Sequence, residues 1–87
     1  MKIWAKMWVD THLVKDSTIE VNDESLNRTR KIFKAIDEIC YEYDLQKPVW
    51  LDKNIDEFKA RSKTRFSQDN FIESIDFDYL EIQVLEE

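Results

Sequence analysis

Apolar and polar residues alternate through Lys2–Val9 (KIWAKMWV). Ile3, Ala5, Met7 and Val9 share one parity; Lys2, Trp4, Lys6 and Trp8 share the other. A period of two built from β-favouring side chains predicts a strand. His12–Val21 predicts a second, less regular strand, with Leu13, Ile19 and Val21 on one face. The short link at Asp10-Thr11 predicts an antiparallel hairpin. Without Gly or Asn-Gly its turn type is not legible, and the break can instead fall near Lys15-Asp16-Ser17.

From Asn22 to Leu45 the period lengthens. Leu26, Ile32, Phe33, Ile36, Ile39, Cys40 and Tyr43 recur at helical spacing, which predicts one long amphipathic helix. Asn22 or Asp23 is the expected cap, and Asp23 and Glu24 suit the positive pole of the helix. Pro48 disfavours helical backbone at Lys47 and so ends it. Pro48–Leu51 reads as extended. Asp52–Ser62 reads as a short helix capped by Asp52, with Ile55 and Phe58 inward. Lys63–Ser67 is a short strand or loop, and Ser67 can cap one helical turn within Ser67–Ser74. Asp76–Glu86 alternates most clearly of all, with Leu80, Ile82 and Val84 on one face and Phe77, Tyr79 and Leu85 on the other.

Strands at both ends with helices between predict an α+β fold: a mainly antiparallel sheet, made of the N-terminal hairpin plus the C-terminal strand, packed on the long helix, with a short second helix. Residues 1–87 form one domain. Residues 68–87 carry seven acids and no base, whereas the first strand carries Lys2 and Lys6, so the terminal strands are expected to be neighbours.

Composition then removes function classes. The chain has 43% hydrophobic and 13% aromatic residues, more than a disordered chain carries. A chain this short buries only about 60–65% of its unfolded surface, so the core is small. Glycine is absent, which excludes a Walker loop, a dinucleotide fingerprint and an EF-hand loop. Cys40 is the only cysteine and His12 the only histidine, so a disulfide within the chain is impossible and a thiolate zinc site lacks its ligands. Cys40 lies on the apolar stripe of the long helix, where a thiol is inert. Asp76, Asp78 and Glu81 read as surface charge. No catalytic residue, metal site or cofactor is expected. No signal-peptide run and no 18-residue apolar segment is present, so the expectation is a cytoplasmic protein without a membrane partner.

Two features ask for a function. Lys59, Arg61, Lys63 and Arg65 put four cations into FKARSKTRFS of a chain with net charge -6. Extended, they would project from one face as an anion-binding or nucleic-acid-binding row; a helix break near Ser62 would divide them. The pI near 4.8 argues against general nucleic-acid affinity. The second feature is the pair of indoles, Trp4 and Trp8, opposite the Ile3–Met7 face, with Phe77 and Tyr79 placed likewise on the last strand. A sheet covered by helix on one side normally shows polar residues on the other. Large aromatics on both sides mean either that Pro48–Ser74 covers the second face or that this face is an interface.

EICYEYDLQKPVWLDKNIDEFK, RFSQDNFIESIDFDYLEIQVLEE and MKIWAKMWVD are similar to segments of a group of short proteins of anaerobic Gram-positive bacteria to which no activity attaches. The resemblance implies a cytoplasmic bacterial setting and carries over no functional residue.

The leading expectation is a non-enzymatic protein acting through a protein interface, a homodimer by default, anchored by Trp4, Trp8, Phe77 and Tyr79. The alternative is an anion or nucleic-acid binder using Lys59, Arg61, Lys63 and Arg65.

Overall fold

A computed structural model describes all residues, 1–87. Strands β1 (Lys2–Val9) and β2 (His12–Glu20) form the hairpin, followed by helices α1 (Arg28–Glu42) and α2 (Asp52–Arg61). The short strand β3 (Lys63–Phe66), a 3-10 turn at Gln68–Asn70 and strand β4 (Tyr79–Glu86) complete the chain. The four strands make one antiparallel sheet in the order β2-β1-β4-β3, so the terminal strands are neighbours at its centre. The α+β fold is as the sequence pattern predicts.

Ile3, Ala5 and Met7 of β1, Leu80 and Ile82 of β4 and Phe66 of β3 turn to one face. There they meet Ile32, Ala35, Ile36, Ile39 and Cys40 of α1 and Phe58 of α2 in one core. Both helices therefore cover the same side. Pro48–Ser74 does not cross to the other side. It is pinned on the core face by a buried amide pair, in which Asn70 Nδ2 donates to Asn54 Oδ1 at 2.7 Å. Asn54 also donates to Thr64 Oγ1 and to the Arg65 carbonyl and accepts from the Leu51 N–H. Asn70 donates to the Val49 carbonyl and accepts from the Ser67 N–H. No buried side-chain polar atom is left without a partner.

In the hairpin and the helices, three features differ from the sequence expectation. The long helix starts at Arg28, with Asn27 as its cap accepting from the Arg30 N–H at 2.9 Å. Asp23 instead closes a local turn by accepting from the backbone and hydroxyl of Ser25. Short polar side chains offer the backbone alternatives to helix, and here the nearer alternative wins. Helix α2 is capped at Leu51 rather than Asp52. In β2, the register slips between Met7↔Lys15 and Trp8↔Leu13, leaving Val14 as an extra residue. That bulge inverts the alternation, so Leu13 lies beside Trp8 while Ile19 pairs with Ile3 on the core side.

Without glycine, other residues take the left-handed conformations: Asp10, Thr11, Asp44 and Ser62 all have positive φ. Asp10 and Thr11, at φ 50° and 67°, form the two-residue type I′ turn of the hairpin. Asp44 ends α1 in a Schellman arrangement, with Leu45 N–H on the Cys40 carbonyl and Asp44 N–H on that of Tyr41. Each such non-glycine residue costs about 1–2 kcal/mol.

The charges of α1 run against its dipole. Its first turn holds Arg28, Arg30 and Lys31 and no acid; its last turn holds no base. Each misplaced charge costs about 0.3–1 kcal/mol at low salt. No helix is long and apolar enough to cross a membrane.

Candidate functional site

The face of the sheet opposite the helices is built from alternate residues of all four strands. Trp4, Lys6 and Trp8 of β1 pair across to Gln83, Glu81 and Tyr79 of β4, and Glu81 pairs in turn with Arg65 of β3. Parity alone puts them there, because their neighbours Ala5, Met7, Leu80 and Ile82 fill the core.

Lys6 and Glu81 lie at its centre, with Nζ 3.1 Å from Oε1 and side chains only 9% and 5% exposed. No helix buries them. Their cover is the neighbouring side chains. The Lys6 ammonium sits 4.0 Å from the centroid of the Trp4 ring, a cation–π contact, and donates to Gln83 Oε1. Trp8 Nε1 donates to Glu81 Oε1 at 3.3 Å, and Arg65 Nε donates to Glu81 Oε2 at 3.2 Å. The Arg65 guanidinium lies 4.3 Å over the Tyr79 ring, and the Tyr79 and Trp8 centroids are 6.2 Å apart. Trp4 Nε1 reaches sideways to Asp16 of β2 at 2.9 Å. Desolvation pushes the Glu81 carboxyl up, but the hydrogen bonds from Lys6 and Arg65 outweigh it and hold the group below the usual carboxylate range. A carboxylate locked in its charged form and fully engaged is poorly suited to carry protons. No three His, Cys, Asp or Glu side chains gather closely enough to hold a metal ion.

Three of the four aromatic positions singled out from the sequence, Trp4, Trp8 and Tyr79, meet on this face, each half-buried. Phe77 does not. It is buried in the core with its ring 5.8 Å from that of Phe71, edge to face. The reason is local: β4 begins only at Tyr79, and Asp78 is held by its N–H to the Trp8 carbonyl and by its carboxylate to the Asp10 N–H. The alternation therefore does not extend back through Phe77.

The basic run also divides. Lys59 and Arg61 end α2, Ser62 turns left-handed at φ 56°, and Lys63 and Arg65 lie on β3. Arg61, Lys63 and Arg65 line a cavity of about 250 Å³, but Glu57 and Glu81 line it too. Lys59 turns away to a separate cavity between α1 and α2. The four cations form no single row. Cys40 is buried and His12 is exposed on the far edge strand; nothing joins them.

The sequence pattern does not single out Lys6 as a site residue and places Glu81 among the surface charges, whereas both are buried. The signal was present: a lysine between two tryptophans on one strand face, and a glutamate between two core residues of the adjacent strand. No family model, curated protein or solved structure matches this chain.

Proposed function

We propose that the protein is a non-enzymatic module of the cytoplasm that acts through a protein interface on the open face of its sheet, with a second copy of itself as the partner. The observation that carries this reading is that both helices lie on one side, leaving Trp4, Trp8 and Tyr79 as an aromatic layer on the other. Tryptophan and tyrosine are the residue types that most often dominate binding energy. The charges of that face support self-association. Lys2, Lys6, Lys63 and Arg65 are matched by Asp16, Glu20, Glu81 and Glu86, so the face is balanced although the chain carries -6. Two copies can meet there without the repulsion that their remaining surfaces would impose. A lone buried thiol suits the reducing setting of this reading.

Geometry bounds the affinity. Strands of 8, 9, 4 and 8 residues, four abreast, present roughly 450 Å² per copy. That is below the ~800 Å² per partner of a standard stable interface, so the dimer is a weak, concentration-dependent one. Sedimentation velocity across a concentration series, on the native chain and on Trp8→Glu, tests the proposal. The expected result is a monomer–dimer equilibrium that Trp8→Glu shifts to monomer. A native chain that stays monomeric, or a folded Trp8→Glu variant with unchanged association, overturns it.

The alternative, an anion or nucleic acid held by Lys59, Arg61, Lys63 and Arg65, has weaker support. Arg65 is already paired with Glu81, and Lys59 faces elsewhere.

A further inference from the structure

Away from the open sheet face, α1 and α2 enclose a cavity of about 350 Å³. Its floor is Ile32 and Phe58, both buried. Trp50 forms one wall, edge to face with Phe58 at 5.6 Å and with Phe33 at 6.2 Å. Phe33 and Ile55 stand at the rim, 48% and 38% exposed. Apolar and aromatic walls at this size are those of a small-molecule site.

The polar groups of the cavity are at its mouth, and the charged ones are both cationic. Arg28 is the first residue of α1 and Lys59 lies in the last turn of α2. Arg28 stands at the positive pole of α1, in a first turn without an acid, so there helix dipole and side chain add; Lys59 stands at the negative pole of α2, where its charge offsets the dipole. At α1 that arrangement opposes helix stability, and in an acidic chain both cations stand where the apolar cavity opens. A carboxylate already uses part of it. Glu87 Oε1 accepts from Arg28 Nε at 2.9 Å, while the guanidinium lies 5.3 Å over the Phe58 ring and a second nitrogen donates to Ser62 Oγ. Lys59 makes no ion pair.

We infer that the cavity between α1 and α2 binds a small apolar carboxylic acid, its hydrocarbon body against Phe33, Trp50, Ile55 and Phe58 and its carboxylate on Lys59 and Arg28. A carboxylate fits better than a phosphoester because the mouth offers two side-chain cations and no glycine-built backbone cradle. The ligand carboxylate competes with Glu87 for Arg28, so Glu87 acts as an internal competitor for the site.

Titration calorimetry with decanoate below its micelle concentration tests this on the full chain, with decylamine as the charge-reversed probe. Decanoate is expected to bind and decylamine to bind at least about tenfold more weakly. Lys59→Glu, an exposed substitution, should weaken decanoate about tenfold, Phe33→Asp should weaken it at least as much, and Glu87→Gln should tighten it a few-fold. Absence of decanoate binding overturns the inference, as does equal affinity for decylamine or an unchanged affinity in Lys59→Glu. The cavity is separate from the sheet face, so this result and the sedimentation result stand or fall independently.

Discussion

Lys6 and Glu81 form a nearly dry ion pair, 3.1 Å apart, on the side of the sheet that no helix covers. Side chains of the sheet itself exclude the water, chiefly Trp4, Trp8 and Arg65. The pair thus couples the stability of β1–β4 pairing to the aromatic layer proposed as an interface. Removing one partner leaves a buried charge uncompensated, which costs about 3 kcal/mol. Glu81→Ala should therefore lower unfolding free energy in urea by about that amount. The double variant Lys6→Met, Glu81→Leu should lose much less, because it buries no lone charge. Equal losses in the two would mean that the pair is not desolvated in solution.

The same pair sets an acid limb. The Glu81 carboxyl has its folded-state pKa depressed, so its contribution is present above the ordinary value near 4.5 and is lost as pH falls through the lower folded value. Stability measured below about pH 4.5 should fall more steeply in the native protein than in Glu81→Gln. Parallel acid limbs would assign the loss to other carboxylates.

The turn at Asp10-Thr11 holds a β-branched residue at φ 67°. Thr11→Gly removes that strain and should stabilise the protein by about 1 kcal/mol, despite the extra entropy of glycine in the unfolded chain. The urea midpoint should rise at unchanged slope. A fall would show that the hairpin closes through another turn in solution.

Asn54 and Asn70 are both fully buried and bonded to each other. Asn54→Leu leaves the Leu51 N–H and the Asn70 amide short of partners and should cost about 3 kcal/mol. Because the two amides act as one unit, Asn54→Leu and Asn70→Leu should be far from additive when combined. Additive losses in a double-mutant cycle would separate them.

Burial, with Asp37 adding to it, pushes the Cys40 thiol up to about 11. At pH 8 the native protein should react with a thiol reagent only as fast as it unfolds, and promptly in urea. Fast labelling without denaturant would show that the C-terminal half of α1 opens locally.

What the chain determined by itself is what repeats along it. Alternation in Lys2–Val9 and Tyr79–Glu86 shows which faces of β1 and β4 enter the core, and Ile32, Ile36, Ile39 and Cys40 mark the inward side of α1. These are local properties, because the periods of strand and helix act over a few residues. The balance of acids and bases between the terminal strands also pointed correctly to their pairing. The absence of glycine removed the phosphate-loop chemistries without any structure.

Tertiary structure decided whatever depended on competition between partners distant in sequence. The cap of α1 is a local exception: Asp23 bonds Ser25, two residues on, and Asn27 caps the helix, a choice between near neighbours that periodicity does not report. A bulge at Val14 moved Leu13 to the other face, and the bonds of Asp78 to Trp8 and Asp10 sent Phe77 into the core. Lys6 and Glu81 are 75 positions apart and meet only through the β1–β4 register. Arg28 and Lys59 share a cavity mouth only because α1 and α2 pack on the same side of the sheet. Periodicity reports what one segment prefers, whereas register and packing are set by contacts whose cost is closing the loops between them.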